Sequence, residues 1–295
     1  MVKRVPCSSE PTPAPASLLP ADRLRQESLR LLLQAALYDP LTSRFLLDTG
    51  LREGMRVLDI GSGLGSVSLL VSEIVGLQGE VIGIECSPAM VEFAARRARA
   101  AGRTNIQFVQ TRAESLELDG LFDALVGRFV LRELDNRPRT LENLTRLLRP
   151  GGIVAFQEKL LTVPITAVPS LPTVEKVRAW MDQARTLARV ELAMGAKLSQ
   201  IFAAAGLPVP ELRFEAPIGD RTDWIGYDYL VEMVRGMLPA IQLYGIANEQ
   251  EMRLNTMADE MRSEAAAAGS IVILTPCIGA WSTRPAENRT RRRRS

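Results

Sequence analysis

Short apolar runs alternate with helix-period segments along most of this chain. Arg56–Ile60, Val81–Glu85, Ile106–Gln110, Phe122–Gly127 and Ile153–Glu158 are short and nearly continuously apolar, the pattern of strands covered on both faces. Between them apolar residues recur at helical spacing: after Gly65, over Met90–Ala100 behind a Ser87-Pro88 cap, and over Leu141–Leu148. Strands and helices in alternation predict an α/β fold on a doubly wound, mostly parallel sheet.

The pattern changes on either side of this core. Residues 1–20, rich in Pro, Ser and Ala, are expected to be disordered. Arg23–Leu37 has helical periodicity, and Asp39-Pro40 is expected to end that helix and open a second over Leu41–Thr49. Past Glu158, Pro172–Met194 reads as an inserted amphipathic helix, Leu198–Gly206 as the next core helix, and Glu211–Ile218 and Ser270–Trp281 as the sixth and seventh strands. Asp223–Gly269 reads as an insertion of two helices, the first unusually aromatic and apolar. The expected organisation is N-terminal helices over 21–50, a core over 51–160, a lid insertion over 161–194, core again over 195–222, a helical lid over 223–269, a last strand over 270–284 and a disordered basic end over 285–295.

Composition narrows the chemistry more than the fold. At 295 residues, 46% hydrophobic and with a net charge of +2, the chain is large enough for one α/β domain with a helical appendage. No apolar run approaches the ~18 residues of a membrane span, and no signal-peptide core follows Lys3 and Arg4, so a cytoplasmic protein is expected. Cys7, Cys86 and Cys277 lack metal-ligand spacing, and no metal is expected. Histidine is absent, which removes the usual general base near neutral pH and most Ser-His and zinc constellations. Arg289–Arg294 is a basic run with affinity for RNA or anionic lipid in principle, but no RNA-binding module accompanies it.

The chemistry points to Val57-Leu58-Asp59-Ile60-Gly61-Ser62-Gly63-Leu64-Gly65, a strand, a tight turn and the start of a helix. Glycines there permit unusual backbone angles and close approach of a ligand, and the helix N-terminus presents unpaired N–H groups. A dinucleotide site uses a similar pattern. Asp59 argues against one, because a carboxylate beside a pyrophosphate at ~4 Å is repelled by on the order of 1 kcal/mol even in water. S-adenosylmethionine (SAM), with an ammonium, a sulfonium and no phosphate, suits it. Glu85, ending the second strand, is placed to accept ribose hydroxyls.

From Gln34 to Glu158 the chain resembles the class I SAM-dependent methyltransferases, and more narrowly their ubiquinone/menaquinone-biosynthesis-like branch. The resemblance rests on Val57–Gly65 and on Leu148-Arg149-Pro150-Gly151-Gly152 before an apolar strand. It implies a Rossmann-like seven-stranded sheet, SAM as cofactor and S-adenosylhomocysteine as product. The cofactor contacts it implies are Gln34 and Tyr38 at the methionine end, Asp59, Gly61, Ser62, Gly63 and Gly65 in the corner, and Glu85, Cys86 and Ser87 around the ribose. Met90 would pack on the adenine, Arg112, Ala113 and Glu114 would edge it, and Gly127 and Arg128 would receive the ammonium. Related sequences often carry histidine where Arg132 stands, so that residue's role does not transfer. The Asn-Pro-Pro-aromatic signature of base-nitrogen methylation is replaced by Gly127-Arg128-Phe129-Val130, which disfavours DNA.

The expected function is methyl transfer by in-line displacement to a small apolar or aromatic acceptor, a quinone-like or secondary metabolite. Glu158 is the candidate acid–base residue, with Tyr227 and Arg132 orienting, and Trp224, Tyr229, Met233 and Tyr244 are candidates for the acceptor pocket. The partners expected are a small-molecule acceptor and, as an open alternative, a second copy of the chain in a homodimer. An RNA methyltransferase, a SAM-binding protein that does not methylate and an NAD-dependent oxidoreductase stay open as alternatives.

Overall fold

The structure is a computed structural model that describes residues 21–286 apart from Asp119 and Arg221; the stretch 1–20 and the Arg289–Arg294 run lie outside them. The five apolar runs form parallel strands β1 (Arg56–Ile60), β2 (Glu80–Glu85), β3 (Ile106–Gln110), β4 (Phe122–Arg128) and β5 (Leu148–Lys159). Two later strands, β7 (Glu211–Glu215) and β10 (Cys277–Thr283), complete a seven-stranded sheet of order β3-β2-β1-β4-β5-β10-β7, with β10 antiparallel to both its neighbours. Strand order reverses between β1 and β4, and the crevice at the carboxyl ends of those two strands is where such sheets bind ligands.

Along each central strand the side chains divide between two cores, as the period of two requires. Leu58, Ile60, Leu125 and Phe156 enter one core with Leu198 and Phe202 of helix α6 (Met194–Ala204); Val57, Val81, Ala124 and Val126 enter the other with Val67 and Val71 of α2 (Ser66–Val75). Helices α3 (Pro88–Ala100) and α4 (Arg137–Thr145) complete the layers.

A third core is formed by the N-terminal and inserted helices. It joins Leu37, Tyr38 and Leu41 of α1 (Ala21–Asp48) to α5 (Pro172–Leu187), α7 (Gly226–Leu243) and α9 (Met257–Ala268), with the short α8 (Glu249–Met252) alongside. The sequence suggests two N-terminal helices, but α1 is one helix that contains Pro40. An interior proline costs about 3 kcal/mol. Tyr38, Phe45 and Leu46 are almost fully buried, and at about 1.5–3 kcal/mol per buried large apolar side chain they outweigh it, while Pro40 itself lies on the exposed face.

Three further expectations change. The inserted helix ends at Leu187, not Met194, and a short loop in which Arg189 has φ 53° leads to α6, which begins at Met194. The expected strand 211–218 divides into β7 and β8 (Ile218–Gly219), and 270–281 into β9 (Ile271–Ile273) and β10. Pro217 and Pro276 mark the divisions, since a proline has no N–H for the ladder. The displaced halves β8 and β9 join β6 (Thr166–Val168) in a small antiparallel sheet of order β6-β9-β8.

Candidate active site

At the end of β1, Gly61, Gly63 and Gly65 have φ of 65°, 52° and 77°, the left-handed region that glycine enters freely. At Gly61 a Cβ would overlap the Val130 side chain, and at Gly65 it would come within 2.8 Å of Phe108 Cζ. The protein itself fills the space beside those two. Gly63 differs, because nothing lies within 4 Å of a Cβ built there. Next to this open face the Ser62 hydroxyl is buried and unpartnered among the described residues. Arg97 of α3 holds the loop from behind, its Nη1 donating to the Leu64 carbonyl at 2.6 Å and to Ser66 Oγ at 3.0 Å.

Carboxylates flank the corner. Asp59 is buried and its Oδ2 accepts from Ser68 Oγ at 2.6 Å; burial, opposed by that hydroxyl, pushes its pKa up to about 7. Glu85 ends β2 with Oε2 accepting the Gly63 N–H at 3.2 Å and Oε1 accepting the Ser87 N–H at 2.9 Å and the Cys86 thiol at 3.3 Å. Ser87 caps α3, its Oγ accepting the Met90 N–H at 3.4 Å, and Met90 is buried behind it. Ala113 and Glu114 form a 3₁₀ turn after β3. Glu114 accepts the Asp135 N–H at 3.0 Å, and Arg112 bridges Glu114 and Asp135, at 3.4 and 3.2 Å.

On β4, Gly127 leaves no room for a side chain, since a Cβ would stand 2.6 Å from Phe156 Cε1. Arg128 turns to α1, where its Nη1 donates to Asp39 Oδ1 at 2.7 Å and Thr42 Oγ1 at 2.8 Å. Phe129 follows with φ 58°, an uncommon conformation for a bulky residue, and its N–H donates to the Gln157 carbonyl at 2.8 Å. Glu158 is buried and its Oε1 accepts the N–H groups of Val130 and Leu131 at 2.8 and 2.7 Å. Burial raises its pKa to about 7 against those two amides. In this structure it braces the turn after β4, a positioning task that the expectation of an acid–base residue did not include.

One residue on, Lys159 stands among aromatic rings. Its Nζ lies 4.8 Å from the Phe129 ring centroid, 5.3 Å from Tyr38 and 5.4 Å from Tyr229. It donates to Tyr229 Oη at 2.6 Å and Gln34 Oε1 at 2.9 Å. Tyr38 meets Phe129 edge-on at 5.2 Å and donates its hydroxyl to the Thr275 carbonyl at 2.7 Å. The structure thus gathers Gln34, Tyr38 and Tyr229 around the Lys159 amine between α1, β5 and α7, in a closed chamber that these side chains themselves fill. Lys159 is not among the residues that the sequence pattern singles out. Its signal was rarity: four lysines against 32 arginines, with one at the carboxyl end of a core strand.

The other lid candidates divide. Tyr227 is two residues from Tyr229, about 200° around a helix, and packs away from the chamber, edge-on to Trp224 at 5.4 Å. Trp224 wedges between Gly219 and Gly226, at either of which a Cβ would overlap the indole. In this structure both rings pack against the protein, Trp224 on Gly219 of the small sheet, at the positions where Tyr227 is expected to orient and Trp224 to touch an acceptor. Met233 Sδ receives Arg30 Nη1 at 3.8 Å, Tyr244 is 40% exposed at the end of α7, and Arg132 is exposed and paired with Glu133 at 3.1 Å.

Comparison with known proteins agrees with this geometry. A family model described as a methyltransferase domain matches residues 51–206. The ubiquinone/menaquinone biosynthesis C-methyltransferase UbiE of Yersinia pestis is 36% identical over 124 residues, 40% of this chain and 49% of that protein. The chain therefore spans about half the length of the curated relatives it matches. Among solved structures, a SAM-dependent methyltransferase from Aquifex aeolicus has a TM-score of 0.53 at 18% identity, covering 88% of this chain and 97% of that one. The [4+2]-cyclase SpnF has a TM-score of 0.51 at 22% identity, covering 84% and 82%. No helix among the described residues is long and apolar enough to cross a membrane. With its family match over more than half of the chain, its seven-stranded sheet and its glycine corner between β1 and α2, this chain belongs to the methyltransferase domain family and has the class I SAM-dependent methyltransferase fold.

Proposed function

We propose that the protein transfers the methyl group of SAM to a small, partly aromatic acceptor held in the chamber between α1, β5 and α7. The observation that carries this reading is the open face at Gly63, bordered by the unpartnered Ser62 hydroxyl and by Glu85. That donor set fits a nucleoside with a positive end and no phosphate. A pyrophosphate would meet the Asp59 and Glu85 carboxylates with the wrong sign.

When bound, SAM supplies an electrophilic methyl group on a sulfonium. The chain's own residues hold the reactants. Glu85, pinned between the Gly63 and Ser87 amides, offers its carboxylate to the ribose hydroxyls. Ser62 and the Gly63 backbone line the open face of the loop. Phe129, Tyr38 and Tyr229 keep water from the acceptor and fix its plane, and methyl transfer gains chiefly from such alignment. The likeness to UbiE supports a quinol-like acceptor. One fold hosts many chemistries, so the second reading is a protein that binds SAM and does not methylate.

Calorimetric titration with S-adenosylhomocysteine tests the cofactor. Saturable binding that Glu85→Ala weakens at least tenfold, about 1.4 kcal/mol, is expected; no binding by the wild type overturns the reading. Conversion of SAM to S-adenosylhomocysteine in the presence of phenols and quinols then separates methyl transfer from binding alone.

A further inference from the structure

The chamber has an unbalanced charge. Four guanidiniums bear on Lys159: Arg30 from α1, Arg128 and Arg132 from the end of β4 and its following turn, and Arg185 from α5. Each has a carboxylate of its own, Arg30 with Glu27, Arg128 with Asp39, Arg132 with Glu133 and Arg185 with Asp182. Lys159 has none among the described residues. Its partners are the Gln34 amide oxygen and the Tyr229 hydroxyl, both neutral. From β10, the residue facing it is Cys277, a buried thiol whose pKa is pushed up to about 12 by burial. Its neighbour Glu158 is engaged by two backbone amides. Burial and the four arginines hold the Lys159 amine well below the ordinary lysine range, which favours the neutral form.

Resting on the methyltransferase reading, we propose that Lys159 is the proton acceptor for the methyl acceptor, which carries an acidic hydroxyl on a conjugated carbon, a phenol or an enol, and binds as its oxyanion against Nζ. The hydroxyl O–H bond breaks, its proton moves to the Nζ lone pair to make the ammonium, and the electron pair stays on oxygen. This ammonium–oxyanion pair gives Lys159 the counter-charge that the chamber lacks, and the sulfonium of the cofactor adds to the demand for an anion. The flat rings of Phe129, Tyr38 and Tyr229 suit a planar acceptor, and the left-handed backbone of Phe129 is the kind of strain that accompanies a functional contact. After methyl transfer has consumed the negative charge, the ammonium returns its proton to water.

The chain has four lysines, so labelling their Cε positions with 13C gives four signals, and Lys159→Arg assigns the one of interest. In the full-length protein the Lys159 signal is expected to titrate at least one pH unit below a free lysine side chain measured alongside. Adding S-adenosylhomocysteine and 4-nitrophenol, whose ionised form absorbs in the visible, is expected to produce bound nitrophenolate below the pH at which it ionises in water. The Lys159 signal should move to its charged position together with it. Lys159→Met should abolish the bound phenolate while S-adenosylhomocysteine affinity stays within threefold, which also shows that the variant folds. Lys159→Arg should bind nitrophenolate supplied at high pH but give none from the neutral phenol. Titration of Lys159 with the free lysine side chain, bound phenolate that persists in Lys159→Met, or none in wild type that binds S-adenosylhomocysteine overturns the proposal and leaves the cofactor reading standing. Failure to bind S-adenosylhomocysteine overturns both.

Discussion

Asp59 Oδ2 and Ser68 Oγ lie 2.6 Å apart, tying the end of β1 to the first turn of α2 where almost no water reaches. Folded Asp59 titrates at about 7, whereas an unfolded aspartate titrates at about 3.9. Between those values the native state holds more protons, so this residue's contribution to stability falls as pH rises from about 4 to about 7 and stays lost above. Asp59→Asn keeps an acceptor for Ser68 without the charge. It should be more stable than wild type by about 1–3 kcal/mol at pH 8 and gain nothing at pH 4. Urea unfolding at the two pH values checks this, and an equal difference at both would refute it.

Gly61 and Gly63 should respond differently to alanine. Each pays the left-handed penalty of about 1–2 kcal/mol, but only Gly61→Ala also collides with Val130. We expect Gly61→Ala to lose about 3 kcal/mol or more, with part recovered by Val130→Ala. Gly63→Ala should lose no more than the backbone term yet weaken S-adenosylhomocysteine binding more than about tenfold. Denaturation and calorimetry on the same three variants separate the two effects.

Glu158 can be tested through what its oxygens hold. Glu158→Gln keeps an acceptor for the Val130 and Leu131 amides and should remain within about 1 kcal/mol of wild type, whereas Glu158→Ala strands both and should lose about 2–3 kcal/mol. If its task is bracing, Gln sustains methyl transfer. A loss of about 100-fold in a fully folded Gln variant would restore an acid–base role.

Tyr38→Phe removes a buried donor from the Thr275 carbonyl and leaves the ring in place. The expected cost is about 1–2 kcal/mol, read as a lower thermal midpoint, with S-adenosylhomocysteine affinity little changed. A large loss of cofactor affinity would instead support the methionine-end contact read from the sequence.

The corner and the five central strands were legible because their determinants are local. Val57–Gly65 carries its own strand, turn and helix start, and each apolar run states that both sheet faces are covered. The continuity of α1 was not legible, because it depends on which side of the helix Pro40 faces and on burial against α2 and α7. Pro217 and Pro276 were in plain view, but a long expected strand outweighed them. Within α7, Tyr229 and Tyr227 look equivalent in sequence; only the helix orientation sends one to the chamber and the other to Trp224. Lys159 was hardest to see, since its setting is made by α1, α5 and α7 converging from distant parts of the chain.

The divided strands also fix how the 223–269 helices are attached to the core. The chain leaves the core through β7 and β8 and returns through β9 and β10; the two limbs pair along their length, and the Leu274 N–H bonds the Pro217 carbonyl at 3.0 Å where they bend. The 223–269 segment is therefore carried on paired strands, with β6 as a third strand beside β9, and not on slack tethers. The strands bend at Pro217 and Pro276, and Tyr38 of α1 donates to the Thr275 carbonyl beside that bend. Helix α1 and the 223–269 helices are thus joined twice, through this bend of paired strands and through their shared core.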